Sequence, residues 1–142
     1  MRNTQTLLTC AVDTVRFCQC IAADCRDAAY GAALRNAISV TLLELDQMES
    51  AFITVSHSHG LHFDGLPPVS ALLDQIRLRL ILNFRSSDSF ISESMIKAFT
   101  DARIHLIRAV NQVQQAEPQT EILIQRLLGF FSASDKNLHP YL

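Results

Sequence analysis

Glycine and proline are scarce in this chain, four of each in 142 residues. A fold of many short strands needs more such punctuation, so long helices are expected. An excess of either charge is also missing. Twelve Lys and Arg stand against 14 Asp and Glu, a formal net charge of -2, with no basic patch or stripe, and nucleic acid is set aside as a partner. No apolar run approaches the ~18 residues of a membrane span, so no membrane is expected as a partner. The N-terminal stretch "MRNTQTLLTCAV" is loosely similar to a lipoprotein cleavage site at "LLTC". The residues before it are too few and too polar for a signal sequence. Residues 5–26 are read as a mature helix and the protein as cytoplasmic. A Gly-x-Ser-x-Gly turn, a phosphate loop and a Gly-rich dinucleotide turn are all lacking. No catalytic residue is nominated, and the expectation is a protein that is not an enzyme.

The cysteines are few and clustered: Cys10, Cys18, Cys20 and Cys25. None stands in the paired C-x-x-C spacing that zinc sites draw from two elements. Disulfides within one straight helix are geometrically poor at these spacings. Cys18 and Cys25, seven apart, are read as small inward hydrophobes in a reducing compartment, and Cys20 as an exposed thiol.

What the chain does have is apolar side chains, 49% against 18% charged, enough for one domain spanning 1–142 with a real core. The apolar residues recur with helical period. Residues 5–26 carry an inward stripe of Leu8, Ala11, Val15, Cys18, Ala22 and Cys25, ending at Asp24, Arg26 and Asp27. Residues 30–57 carry Leu34, Ala37, Thr41, Leu45, Met48, Phe52 and Val55. "HSHGLHFDGLPP" then breaks the pattern. A shorter helix over 67–83 turns Val69, Leu72, Leu73, Ile76 and Leu80 inward. "RSSDS" offers Ser87, Asp88 or Ser89 as a cap for 89–115, with Ile91, Met95, Ala98, Ala102, Leu106, Ala109 and Val113. Pro118 suits a first helical position and Glu121 a positive helix end, opening 118–132, with Ile122, Leu123, Leu127, Phe130 and Phe131 inward. Residues 133–142 are read as a loose tail. The fold class is all-α: an antiparallel four-helix bundle whose crossover connection carries the extra short helix.

That layout, with "ADCRDAAYGAALRNA" (23–37) at the first turn and "SESMIKAFTDARIHLIRAV" (92–110) in the next long helix, resembles the bacterial ferritin-like four-helix-bundle domains. It is most similar to small stress-associated members of unknown function, distantly related to rubrerythrin. The resemblance implies a ferritin-like bundle, and in metal-binding members inward carboxylates with Glu-x-x-His on two helices. This chain departs from that. Val15 holds the inward place on the first helix. Glu44 is followed by Gln47 where His would stand. Ala98 and Ala102 face in while Glu93 and Asp101 face away. One inward acid cannot hold two irons, so the resemblance argues for the fold and against oxidase chemistry.

Four residues are nominated for a metal: Glu44, His57, His59 and His62. Glu44 lies within about 40° of Met48 at about 100° per residue, on the apolar stripe. A buried acid there needs a partner, and Thr41, Gln19 and Arg26 are the candidates; the other structural reading is an acid leaning out at the bundle edge. The histidines, with Asp64, form a cluster whose chemistry suits zinc, nickel or copper; as plain surface residues they would only close a helix end. His105 in His105-Leu106-Ile107-Arg108-Ala109 has the look of a phosphotransfer histidine, lacking the Gly of that pattern. Finally, Ile96, Phe99, Arg103, Ile107 and Val110 make a second strip on 89–115, with Leu78, Ile81, Leu82, Ile124 and Leu128 also outside the main stripes. Helices apolar on two sides are wrapped by neighbours or buried in a partner. The expected function is therefore a non-catalytic bundle acting through protein contact, as a homodimer or larger oligomer with an unknown protein partner and no cofactor. A bundle binding iron, zinc or copper is the alternative, and a phosphotransfer module at His105 the third.

Overall fold

The computed structural model describes residues 2–63, 78, 82, 87–113 and 115–142. Four long helices pack against one another, with no strand among the described residues. They are α1 (Arg2–Ala28), α2 (Ala32–Ser58), α3 (Asp88–Gln112) and α4 (Pro118–Leu138), closed by a 3-10 turn at His139–Tyr141. The shorter helix expected over 67–83 lies outside the described residues, except that Leu78 and Leu82 are helical, one turn apart, and pack against the core.

Each end has a local cause. Ser87, extended at φ -125° and ψ 154°, accepts a hydrogen bond from the Phe90 N–H at 3.1 Å and caps α3. Pro118 opens α4 at a position whose N–H would have no helical acceptor. Gly60 stops α2. Its φ of +76° lets the Leu61 N–H reach the Ser56 carbonyl at 2.9 Å and the Gly60 N–H reach that of His57 at 3.0 Å. This double closure of a helix end needs a left-handed residue, and glycine takes that conformation without a Cβ penalty.

The core runs the length of the bundle through Leu8, Val15, Leu45, Phe52, Ile91, Met95, Leu106 and Leu127, all fully buried. Phe99, Phe130 and Phe131 form a tilted and edge-on cluster with centroids 5.5–6.0 Å apart. Such pairs add about 0.5–1.5 kcal/mol beyond burial. Helix α1 packs on α2 and α3, and α4 packs on α2 and α3, while α2 and α3 stand on opposite corners with little contact. Pairings across helices count in opposite directions: Gln5 with His59, Arg16 with Glu49 and Gln19 with Asp46. Asp88 likewise meets Tyr30 and Gly31, and Leu7 shares a cleft with Val110 and Val113.

Several expectations need correction. The closing segment is not a loose tail: α4 runs on to Leu138, with Ser134 and Leu138 buried and the Tyr141 hydroxyl donating to the Ala33 carbonyl at 3.3 Å. The face of α4 is turned as well. Thr120, Ile124, Leu127, Phe131, Ser134 and Leu138 are buried at alternating spacings of four and three, which leaves Ile122 69% exposed. Phe99, expected on a surplus strip, is covered by α4 and only 4% exposed. Asp24, read as part of a polar end, is buried. By length and composition Asn3–Ala28 would suffice to cross a membrane; half of its most apolar window is buried inside the bundle.

Candidate functional site

Three places in the bundle hold the residues nominated above. The first is the bundle centre, where inward carboxylates would have to stand. Val15, Cys18, Leu45, Met48, Met95, Ala102 and Leu106 occupy it, all buried and none able to bind a hard metal. Glu44 is not among them. It is exposed, on the rim of a shallow groove between α2 and α4 with Val40, Asn137 and Tyr141. The stripe of α2 continues through Leu34, Ile38, Thr41, Leu45, Met48, Phe52 and Val55, and Glu44 falls on its margin where water reaches it. Its three candidate partners are engaged elsewhere. The Gln19 amide donates to Asp46 at 2.9 Å, the Thr41 hydroxyl donates to the Ala37 carbonyl at 3.1 Å, and Arg26 stands 3.9 Å from Asp27.

The second place is the end of α2. The rings of His57 and His62 lie 4.9 Å apart, tilted by 43°. His59 is turned away from both. Its Nε2 pairs with the Glu117 carboxylate at the start of α4. Its carbonyl accepts from the Gln5 amide at 3.0 Å, and the Glu117 N–H donates to the Thr4 hydroxyl at 3.2 Å. Thus His59 and Glu117 clasp three helix ends together, and the three histidines do not converge. Asp64 lies outside the described residues. Glu117 was invisible as a partner in the sequence, since 58 residues separate it from His59. Among the described residues, no group of three or more His, Cys, Asp or Glu side chains is arranged to hold a metal ion.

The third is a shallow pocket between α1 and α3, where exposed His105 faces Gln5, Thr6, Thr9, Cys10 and Asp13. Burial raises the Asp13 carboxyl above its ordinary value, with Arg16 and His105 working against the rise. Burial also raises the Cys10 thiol, with the Thr14 hydrogen bond working against the rise and the Asp13 charge adding to it. A thiol nucleophile needs the reverse shift.

None of the four cysteines is in a disulfide. Cys18 is pushed up by burial and by Cys20, and Cys25 to about 12 by burial and by the neighbouring Asp24. Cys20 is half-buried rather than exposed. With a pKa of about 12, roughly one Cys25 in ten thousand is a thiolate at pH 8. Native protein treated with iodoacetamide at pH 8 is therefore expected to leave Cys18 and Cys25 unmodified and Cys10 slow. All four should react once the chain is unfolded in guanidinium, as peptide mass spectrometry would show. Rapid native labelling of Cys25 would contradict its burial.

No family model, no curated protein and no solved structure matches this chain.

Proposed function

We propose that this protein is a ferritin-like, antiparallel four-helix bundle that has no catalytic centre and acts through protein contact, first of all with a second copy of itself. The observation that carries this reading is the apolar filling of the bundle centre around Val15, Leu45, Met48 and Met95. The bundle arrangement draws support from the pairings above. Partner numbers fall on one helix as they rise on its neighbour for all four adjacent pairs, and the two helices joined by the long connection occupy opposite corners. The Gly60 end of α2 stands beside the start of α1 and the Ser87 end of α3 beside its finish, about 40 Å apart for a 27-residue helix at 1.5 Å per residue, which is how the ends of a ferritin-like crossover are placed.

The contact surface is the outer face of α2. Asn36, Val40, Leu43, Gln47, Ser50 and Thr54 are all exposed, follow one another at alternating spacings of four and three, and carry no charge. Arg35, Glu44 and Asp46 flank them. Val40 and Leu43 are 57% and 60% exposed. An apolar-centred stripe with a 3.5-residue period is the seam by which one helix packs along another. Two copies of α2 crossing at Val40 and Leu43 would bury both pairs. Gel filtration with light scattering on this 15.9 kDa chain is expected to show twice the monomer mass. Val40→Asp with Leu43→Asp should return it to monomer with unchanged helical circular dichroism. A wild-type monomer at micromolar concentration would overturn the proposal. Four cysteines outside any disulfide fit a reducing, cytoplasmic setting.

A second reading, metal binding, is favoured by the His57–His62 ring pair alone. Zinc, nickel or copper bound stoichiometrically to untagged protein, and lost in His57→Ala, would establish it. Phosphotransfer at His105 rests on the exposed imidazole beside Asp13, and acid-labile phosphate at that residue is its test.

A further inference from the structure

Between α3 and α4 lies a small pocket of about 130 Å³ that no reading above uses. Its apolar walls include Phe99 and Phe131; its polar lining is Thr100, Arg103, Ser134 and Asp135. Two of these polar groups have no hydrogen-bond partner. The Nε of Arg103 is buried without an acceptor, and so is the hydroxyl of Ser134, a residue only 3% exposed. Buried donors in folded proteins are nearly always satisfied, and a guanidinium donor left alone is among the costlier exceptions. Asp135 stands at the same pocket with its carboxylate 3.3 Å from the His139 ring, one turn along the helix.

Water could fill the space, at about 30 Å³ per molecule. A neutral solvent, however, answers neither the charge of Arg103 nor the two aromatic walls. A carboxylate does both when it carries a short hydrocarbon chain. It offers the guanidinium a charged acceptor, which makes hydrogen bonds about twice as strong as neutral ones. It also accepts from the Ser134 hydroxyl and lays its alkyl carbons against Phe99 and Phe131. We propose that this pocket binds a short-chain monocarboxylate, with its carboxylate on Arg103 and Ser134 and its tail between Phe99 and Phe131. The volume suits a molecule of butyrate size. The site is independent of the self-association face on α2.

The test is a titration of the uniformly ¹⁵N-labelled full chain with sodium butyrate, followed by amide chemical shifts, against sodium chloride at matched ionic strength. Saturable shifts are expected at amides around Thr100, Arg103, Phe131 and Ser134, with no saturation by chloride or inorganic phosphate. Arg103→Met should weaken butyrate at least about tenfold, because it keeps the stem and removes the charged donor. Arg103→Lys should fall between, keeping charge but losing the fork. Ser134→Ala should weaken binding with the fold intact, and serves should Arg103→Met fail to fold. Linear, non-saturating shifts with butyrate would overturn the proposal. So would equal binding by folded Arg103→Met, or phosphate binding as tightly as butyrate, which would leave the apolar walls without a role.

Discussion

Val15→Glu is expected to cost several kcal/mol at neutral pH, a large share of the roughly 5–15 kcal/mol that holds a domain folded. Val15 has no exposed surface and stands among Ala11, Val12 and Cys18 on the helix that contacts all three others. A carboxylate there would stand on a fully buried apolar stretch of the helix. Burial would raise its folded pKa far above that of the unfolded chain, so the folded state would hold the proton more strongly. Stability lost by the variant should accordingly return as pH falls through that raised pKa, and the gap to wild type should narrow from pH 7.5 to pH 4.5. Urea denaturation at the two pH values measures this. A variant as stable as wild type at pH 7.5, taking up iron, would mean that the centre is a hydrated metal cavity and that the reading of the core is wrong.

Asp88→Ala is the second large effect. Its two carboxylate oxygens accept the N–H groups of Tyr30 and Gly31 at 2.8 and 2.9 Å, tying the α1–α2 turn to the start of α3 across 57 and 58 residues. The same carboxylate sits in the first turn of α3, where negative charge is favourable. A hydrogen bond to a charged group contributes about 1.5–3 kcal/mol, and the Tyr30 bond is exposed, so a loss of about 2–3 kcal/mol is expected. Asp88→Asn keeps one acceptor oxygen and should lose about half of that. Gly31→Ala provides an independent check. The φ of -77° at Gly31 suits any residue, but an added Cβ would come within 2.6 Å of Asp88 Oδ2. Its cost is therefore displacement of the same carboxylate, and in the double variant with Asp88→Ala most of that cost should vanish. Additive losses in chemical denaturation would show that the two positions act separately.

A helical bundle offers its centre to whatever chemistry the inward side chains can supply. Here those side chains are Val, Cys, Leu, Met and Ala. The polar and charged groups that do interact are at the ends and rims: Asp88 at one turn, His59 with Glu117 at another, Arg16 between Glu49 and the Phe63 ring at 5.7 Å. These tie helix to helix.

Sequence by itself determined the all-helical class and the existence and main stripes of the long helices, because a 3.6-residue apolar period over 20 or more residues has no competing explanation. It also placed Cys18 and Cys25 inside, narrowed the cap of the third long helix to Ser87, Asp88 or Ser89, of which Ser87 is the one, and marked Pro118 as a helix start, since capping depends on residues adjacent in the chain. Tertiary structure alone decided the rest. A helical wheel places Glu44 relative to its own stripe but not relative to the neighbouring helices, and the position of α4 leaves it in water. The same ignorance of neighbours put Ile122 inside and Ile124 outside, the reverse of what the packing of α4 requires. The polar run after Phe131 reads as a loose end until α2 and α3 are there to bury Ser134 and Leu138 and to receive the Tyr141 hydroxyl. Pairs such as Asp88 with Gly31, His59 with Glu117, and Arg103 with the Ser134 pocket join residues tens of positions apart, and a local pattern carries no record of such distances.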